Sequence, residues 1–151
     1  MTGIDINFTE LQQAARVFNA DPHLKFIYGD IASGALRNLK FDIIVFGASV
    51  QYFRSLRKTL TTCLHHINPT GEIHIIDTRL YKTIDIEPAK RRTSAYYNAL
   101  GYPEMGEYYF HHDIKELRAF RHTVKYNPLS PMMRFTRDPH PFHWVCVKNN
   151  Q

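Results

Sequence analysis

Apolar residues recur along the chain in short blocks, and the spacing within each block marks one element. Gly3-Ile4-Asp5-Ile6-Asn7 reads as the end of a buried strand that runs into a helix, with an acid at the tip. Asn7 and Glu10 have capping-box spacing, and Leu11, Ala14, Ala15 and Phe18 follow at helical intervals, with a stop before Pro22. Leu24 to Tyr28 predicts a short strand closed by Gly29-Asp30, and Ser33 to Leu39 a short helix. Phe41 to Phe46 is a strongly apolar strand closed by Gly47-Ala48-Ser49. Leu56, Leu60, Cys63, Leu64 and Ile67 mark a helix, Asn68-Pro69-Thr70-Gly71 a stop and turn, and Glu72 to Asp77 the next strand. The apolar runs lack clean alternation, so these strands are expected to be buried on both faces.

The last third is less regular. Pro88 to Leu100 predicts a helix with Gly101 as its C-terminal stop, and Asp113 to Phe120 a second one with Asp113 as N-cap. His122 to Tyr126 and Phe142 to Lys148 read as strands, with a Pro-rich loop from Pro128 to Pro141 between them. Alternation followed by a terminal strand pair predicts an α/β fold. The expected form is a Rossmann-like, doubly wound, mostly parallel sheet with a C-terminal antiparallel pair, in a single domain spanning 1–151.

Composition narrows the setting. The 44% hydrophobic and 22% charged fractions are those of an ordinary globular domain. A formal charge of +5 is compatible with an anionic partner, but the densest basic run is Lys90-Arg91-Arg92, so nucleic acid is not the expected ligand. The two cysteines, Cys63 and Cys146, have no metal or disulfide spacing and are expected buried and reduced in the cytoplasm. The run Ile43 to Phe46 is far too short to cross a bilayer.

In doubly wound sheets ligands bind beyond the carboxyl ends of the strands. The tips here are Asp5, Asp30, Gly47-Ala48 and Asp77. One carboxylate can accept both hydroxyls of a ribose, and one on the neighbouring tip can accept the amino group of an adenine. Ile6 and Ile31, directly after those acids, could sandwich the flat base. Gly47 and Ala48 would keep the third tip low. Each Asp taken singly is better read as a turn former or helix cap; the set, in order and in register, favours a ligand. Gln51, Tyr52 and Phe53 could line an acceptor side or simply enter a helix. His111-His112 and His140-x-x-His143 are read as packed or solvated, no metal site is expected, and Trp144 is expected in the core.

At these residues the chain resembles the class I S-adenosylmethionine-dependent methyltransferases. Gly3-Ile4-Asp5-Ile6-Asn7 is similar to the family's second-strand motif, and Tyr28-Gly29-Asp30-Ile31 to its third-strand motif. Phe41 to Phe53 resembles the fourth-strand motif, near the methionine part of the cofactor. Ile67-Asn68-Pro69-Thr70-Gly71-Glu72 is similar to the turn into the fifth strand. The resemblance implies S-adenosylmethionine as cofactor, held by Asp5, Ile6, Asp30, Ile31, Phe46, Gly47 and Ala48, and in-line methyl transfer governed by proximity and orientation. Phe46-Gly47-Ala48 is not the Asn/Asp-Pro-Pro-Tyr/Phe motif of members that methylate base or glutamine amino groups, which favours a small-molecule acceptor.

The family's first strand and Gly-x-Gly-x-Gly turn do not occur ahead of Asp5, so relative to the family the chain reads as N-terminally truncated. Three arrangements stay open. Residues 1–151 could be part of a longer protein. Another segment, or the partner in a homodimer, could fill the gap. Or the Asp5 strand could pair directly with the Phe41 strand. Independent activity depends on which holds, and the alternative function is a non-catalytic, dimeric interaction module.

Overall fold

A computed structural model describes residues 1–34, 36–131 and 140–149 of the chain. They fall into two compact units, Met1–Leu39 and Lys40–Gln151. The expected loop from Pro128 to Pro141 lies largely outside the described residues.

In the first unit, β1 (Thr2–Asp5) runs into α1 (Phe8–Val17), and β2 (Lys25–Tyr28) returns parallel to β1. Asn7 caps α1 by accepting from the Thr9 and Glu10 amides. The reciprocal half of the expected box is rewired. Asn7 N–H donates to Asp5 Oδ1 at 2.7 Å, and Glu10 takes the Asn7 side-chain amide instead. After β2, Ile31–Ser33 forms a 3-10 turn capped by Asp30, where a short helix was expected from Ser33 onward.

In the second unit, β3 (Phe41–Gly47), β4 (Ile67–Thr78), β5 (His122–Tyr126) and β6 (His143–Lys148) form one sheet in the order β3-β4-β6-β5. β3 and β4 are parallel; β6 is antiparallel to both β4 and β5, the expected C-terminal pair. β1 and β2 form a two-stranded sheet within the first unit.

The Asn68 to Gly71 stop is corrected. β4 begins at Ile67 and continues through it, because the four residues form a bulge: Phe41 pairs with Ile67, but Ile43 pairs with Glu72. Asn68 anchors the bulge by donating to Asp42 Oδ1 at 2.7 Å. A side chain at Gly71 would meet the Phe41 and Asp42 carbonyls, which is why glycine stands there.

α2 (Leu56–Leu64) is capped by Ser55 and buries Leu56, Leu60 and Cys63. That face meets the inner side of the sheet, where Phe46, Ile73, Ile75, Val145 and Val147 are buried. α3 (Ile86–Ala99) follows, and Gly101 takes the expected left-handed stop with φ 81°. The segment expected as a helix after Asp113 is 3-10 (Ile114–Ala119), with both halves of its capping box made. Burial on both strand faces is also corrected. The opposite face of this sheet leaves Ile43 60% and Val45 54% exposed. Trp144 lies on that outer face too, 46% exposed rather than in the core, its indole N–H donating to His74 Nδ1 at 3.0 Å.

Candidate functional site

The first unit brings Asp5, Ile6, Asp30 and Ile31 to one end of the β1–β2 pair. Asp5 lies opposite Tyr28, and Gly29 N–H donates to Asp5 O at 2.9 Å, so both strands end level. Each acid first serves its own turn: Asp5 Oδ1 accepts from Asn7 N–H at 2.7 Å, and Asp30 Oδ1 from Ala32 N–H at 2.8 Å. A carboxylate has about four lone-pair sites, so one local bond leaves each acid free to accept more. The cap role and a ligand role are therefore compatible. Ile6 is 71% exposed, whereas Ile31 is 7% exposed.

In the second unit the matching strand end is Gly47-Ala48. No described residue approaches within 4 Å of where a side chain on Gly47 would sit, and Ala48 leaves the strand with φ 49°. Phe46 faces the other way, buried and edge-on to Phe53 at 5.6 Å. Gln51 is buried with its amide engaged at both ends. Its Nε2 donates to Ala48 O at 2.5 Å, and its Oε1 accepts from the Thr78 hydroxyl at 2.9 Å. It thus ties the ends of β3 and β4 together, a positioning role that the sequence did not reveal. Of the three residues expected on an acceptor side, Tyr52 is the open one at 52% exposed.

Tyr52 leads into an aromatic group. Its ring meets Tyr109 edge-on at 5.9 Å, and Tyr109 and Tyr81 flank His111 at 5.1 and 5.2 Å. Burial, with the neighbouring phenols Tyr81, Tyr52 and Tyr97, pushes the Tyr109 hydroxyl up to about 12. Burial lowers His111 below the usual histidine range, and Lys90 adds to the effect. Beside this group lies a cleft of about 650 Å³, with His111, Arg54 and Lys90 on its walls. His112, also buried, meets the Val50 carbonyl at 3.1 Å, so both residues of the His111-His112 pair are packed as read from sequence.

On the outer sheet face, Glu72, His74 and Cys146 place one potential metal-ligating atom each within 4.8 Å of one another. Trp144 fills His74 Nδ1, which leaves the ring proton on Nε2, 3.2 Å from Glu72 Oε2. Lys148 Nζ pairs with Glu72 Oε1 at 2.7 Å. Both imidazole nitrogens are occupied and the acid is neutralised, so the group fits a cross-strand polar network rather than a metal site.

Residues 1–75 match a family model described as a methyltransferase domain, a span that runs from β1 into β4. The chain belongs to the class I S-adenosylmethionine-dependent methyltransferase family. The solved plantazolicin methyltransferase BpumL is similar over 99% of this chain and 67% of its own, at 17% identity and a TM-score of 0.62. The YcgJ protein from Bacillus subtilis is similar over 99% of this chain and 82% of its own, at 13% identity and a TM-score of 0.68. An O-methyltransferase family protein from Burkholderia thailandensis aligns with 99% of this chain, which spans only 43% of it, at 9% identity and a TM-score of 0.63. At these identities the likeness shows the methyltransferase fold. No curated protein matches the chain in sequence. Among the described residues no helix is long and apolar enough to cross a membrane.

Proposed function

We propose that the chain is an S-adenosylmethionine-dependent methyltransferase acting on a small molecule, or the C-terminal part of one, and that it works in the cytoplasm. The observation that carries this reading is the pair of carboxylates at one level end of β1 and β2, each with acceptor capacity left after its local bond. Asp5 would accept the ribose hydroxyls and Asp30 the adenine amino group, with Ile6 and Ile31 against the base. Gly47 and Ala48 would let the methionine part approach the backbone, since the space above Gly47 is open. The cofactor, when bound, supplies an electrophilic methyl group on sulfur. The chain's own contribution is to hold the two reactants in line and keep water out. Tyr52, beside the Tyr109–His111 cleft, would stand on the acceptor side, with Gln51 and Phe53 holding it in place. A small-molecule acceptor is also in keeping with BpumL, which was solved with a triazolic desmethylPZN analog and SAH.

Calorimetric titration with S-adenosylhomocysteine tests the reading. Saturable binding is expected, and Asp5→Ala should weaken it roughly 10–100-fold, the worth of charge-assisted hydrogen bonds to two hydroxyls. Unchanged affinity in the variant would remove Asp5 from the ribose. A second reading, the interaction module, is favoured by the outer edge of β3, which has no strand partner among the described residues beside exposed Ile43 and Val45. It predicts a stable dimer, or capture of a strand from another segment, without cofactor affinity; a monomer that binds S-adenosylhomocysteine in analytical ultracentrifugation would discard it.

A further inference from the structure

On the outer face of the larger sheet, His74 stands between two side chains that ask opposite things of its ring. Trp144 Nε1–H donates to His74 Nδ1 at 3.0 Å, and Glu72 Oε2 lies 3.2 Å from His74 Nε2. A neutral imidazole satisfies both, with a lone pair on Nδ1 and the proton on Nε2. Imidazolium carries a proton on each nitrogen and has no acceptor left. It would keep its bond to Glu72, now as an ion pair, but would meet the indole donor with a second donor at hydrogen-bond distance.

The groups around the ring leave this choice to one proton. Lys148 Nζ bonds Glu72 Oε1 at 2.7 Å and holds that carboxyl below the usual carboxylate range, so Glu72 is ionised wherever histidines titrate. Lys148 opposes a second positive charge, but its own is answered by Glu72. Cys146, the cross-strand partner of His74 on β6, is a neutral thiol, pushed above its usual range by burial. β3 presents only Val45 opposite His74 and Ile43 opposite Glu72. Lys125 belongs to β5, two strands away, and α2 packs on the other face of the sheet.

Trp144 is the side chain able to respond. It is 46% exposed, and among the described residues the bond to His74 is the indole's one hydrogen bond. Beyond it, at the end of β4, Trp144 joins Tyr126, His140 and Phe142 as a wall of a pocket of about 430 Å³ beside Ile76 and Asp77. We propose that His74 is a proton-sensitive latch on Trp144. Neutral, it fixes the indole against the sheet; protonated, it bonds Glu72 alone and releases the indole, which alters the wall of that pocket. The latch stands whether or not Asp5 holds a ribose.

Trp144 is the chain's single tryptophan, so one indole N–H resonance reports its state. The full chain, labelled with nitrogen-15, is titrated from pH 8 to pH 5 while that resonance and the His74 ring nitrogens are followed together. The indole proton should lose its hydrogen-bonded downfield shift at the same midpoint as His74 gains its proton. Acrylamide should quench Trp144 emission more at pH 5 than at pH 8. His74→Asn puts an amide oxygen near the place of Nδ1, which accepts but does not titrate, so its indole resonance should hold the bonded position throughout. His140, the other ring beside Trp144 that titrates in this range, is controlled by His140→Asn, which should keep the wild-type transition. His143, next in sequence, lies on the inner face and titrates lower, at about 4. Far-UV circular dichroism checks the variants' fold, and the wild-type titration decides the matter without them. An indole resonance that stays fixed while His74 is protonated would overturn the proposal. So would a His74 that remains neutral down to pH 5, or a folded His74→Asn protein with the wild-type transition.

Discussion

A methyl group placed on Gly71 and one placed on Gly47 should have opposite consequences, although the two glycines lie in adjacent strands of one sheet. At Gly71 an added Cβ would sit 2.8 Å from Asp42 O, 2.8 Å from Ile67 Cγ2 and 3.0 Å from Phe41 O. Comfortable carbon contacts begin near 3.5 Å, so each approach is short by roughly half an ångström or more. Two of the three atoms are backbone carbonyls of β3 and cannot rotate away; the bulge itself must move. Overpacking of this kind costs about 1–3 kcal/mol, and rigid neighbours place Gly71→Ala toward the upper end, ~2–3 kcal/mol. In a chain of 151 residues that lowers Tm by roughly 5–10 °C. Gly47→Ala meets no described residue within 4 Å and has no left-handed φ to strain it, so it should be neutral or gain about 0.4–1 kcal/mol from the stiffer unfolded chain. It should nevertheless weaken S-adenosylhomocysteine, because the added carbon occupies the open space above the strand end. Urea unfolding followed through Trp144 reports on the sheet that holds both glycines. A Gly71→Ala protein as stable as wild type, or a Gly47→Ala protein as weakened as Gly71→Ala, would refute the packing argument.

Four further outcomes follow from the same geometry. His143 titrates near 4 when folded and near the ordinary 6.5 when unfolded, so below pH 6.5 the unfolded chain takes a proton that the native chain refuses; stability should fall by about 3 kcal/mol between pH 6.5 and 4, and His143→Asn, which keeps an acceptor for Leu80 N–H, should flatten that slope in urea titrations at the two ends of the range. Identical slopes in the two proteins would contradict it, His111 contributing in the same direction to both. Asp113→Ala removes the cap of Ile114–Ala119 and its bond from Lys115 N–H, and should cost about 1–2 kcal/mol by the same assay. Gln51→Leu leaves the Ala48 carbonyl and the buried Thr78 hydroxyl without their amide, at about 1–3 kcal/mol; no loss would mean that the tie between the strand ends is slack. Burial pushes the Cys63 thiol up to about 12 and raises Cys146 too, so neither should react with a disulfide reagent at pH 8 until urea is added; rapid labelling of the native protein would count against both placements.

What could be read from the residues was whatever depends on short-range chemistry. The Asn7 and Asp113 caps, the left-handed stop at Gly101, the helix face of Leu56, Leu60 and Cys63, and the sequence of elements along the chain all follow from spacing and turn residues. The family motifs at Asp5, Asp30 and Gly47 sit at strand ends because strand ends are themselves local features. Asn68 to Gly71 misled because a bulge and a turn use the same residues; only the Phe41 and Asp42 carbonyls, supplied by another strand, decide between them. Trp144 and the Ile43–Val45 face misled because an apolar residue on a strand does not say which face will be covered. The tie made by Gln51 and the ring pocket at Asp77 are long-range: Thr78 lies 27 residues from Gln51, and no pattern within either segment signals the other.

The ends of β3 and β4 join these observations. Ala48, just past the end of β3, and Asp77, the next-to-last residue of β4, both have left-handed φ, 49° and 56°. Asp tolerates that region through its short polar side chain, but for Ala the cost is about 1–2 kcal/mol with no local compensation. The cost is borne by neighbours. Ala48 N–H donates to Ile76 O at 3.1 Å, keeping the strands paired to their last residues, and Gln51 then holds the Ala48 carbonyl and the Thr78 hydroxyl together. An ordinary extended exit would avoid the strain but would carry backbone straight on beyond the strand ends. At Ala48 the left-handed step ends β3, with the 3-10 turn Val50–Tyr52 following; at Asp77 it falls in the register shift between Ile75 and Thr78, inside β4. What it leaves is open space above Gly47 and a walled pocket beside Asp77, at the carboxyl end of parallel strands where sheets of this class take their ligands. The strain at Ala48 is held by its bonds to Ile76 and Gln51, and the S-adenosylhomocysteine titration of the Gly47→Ala protein tests whether the space beside it serves a ligand.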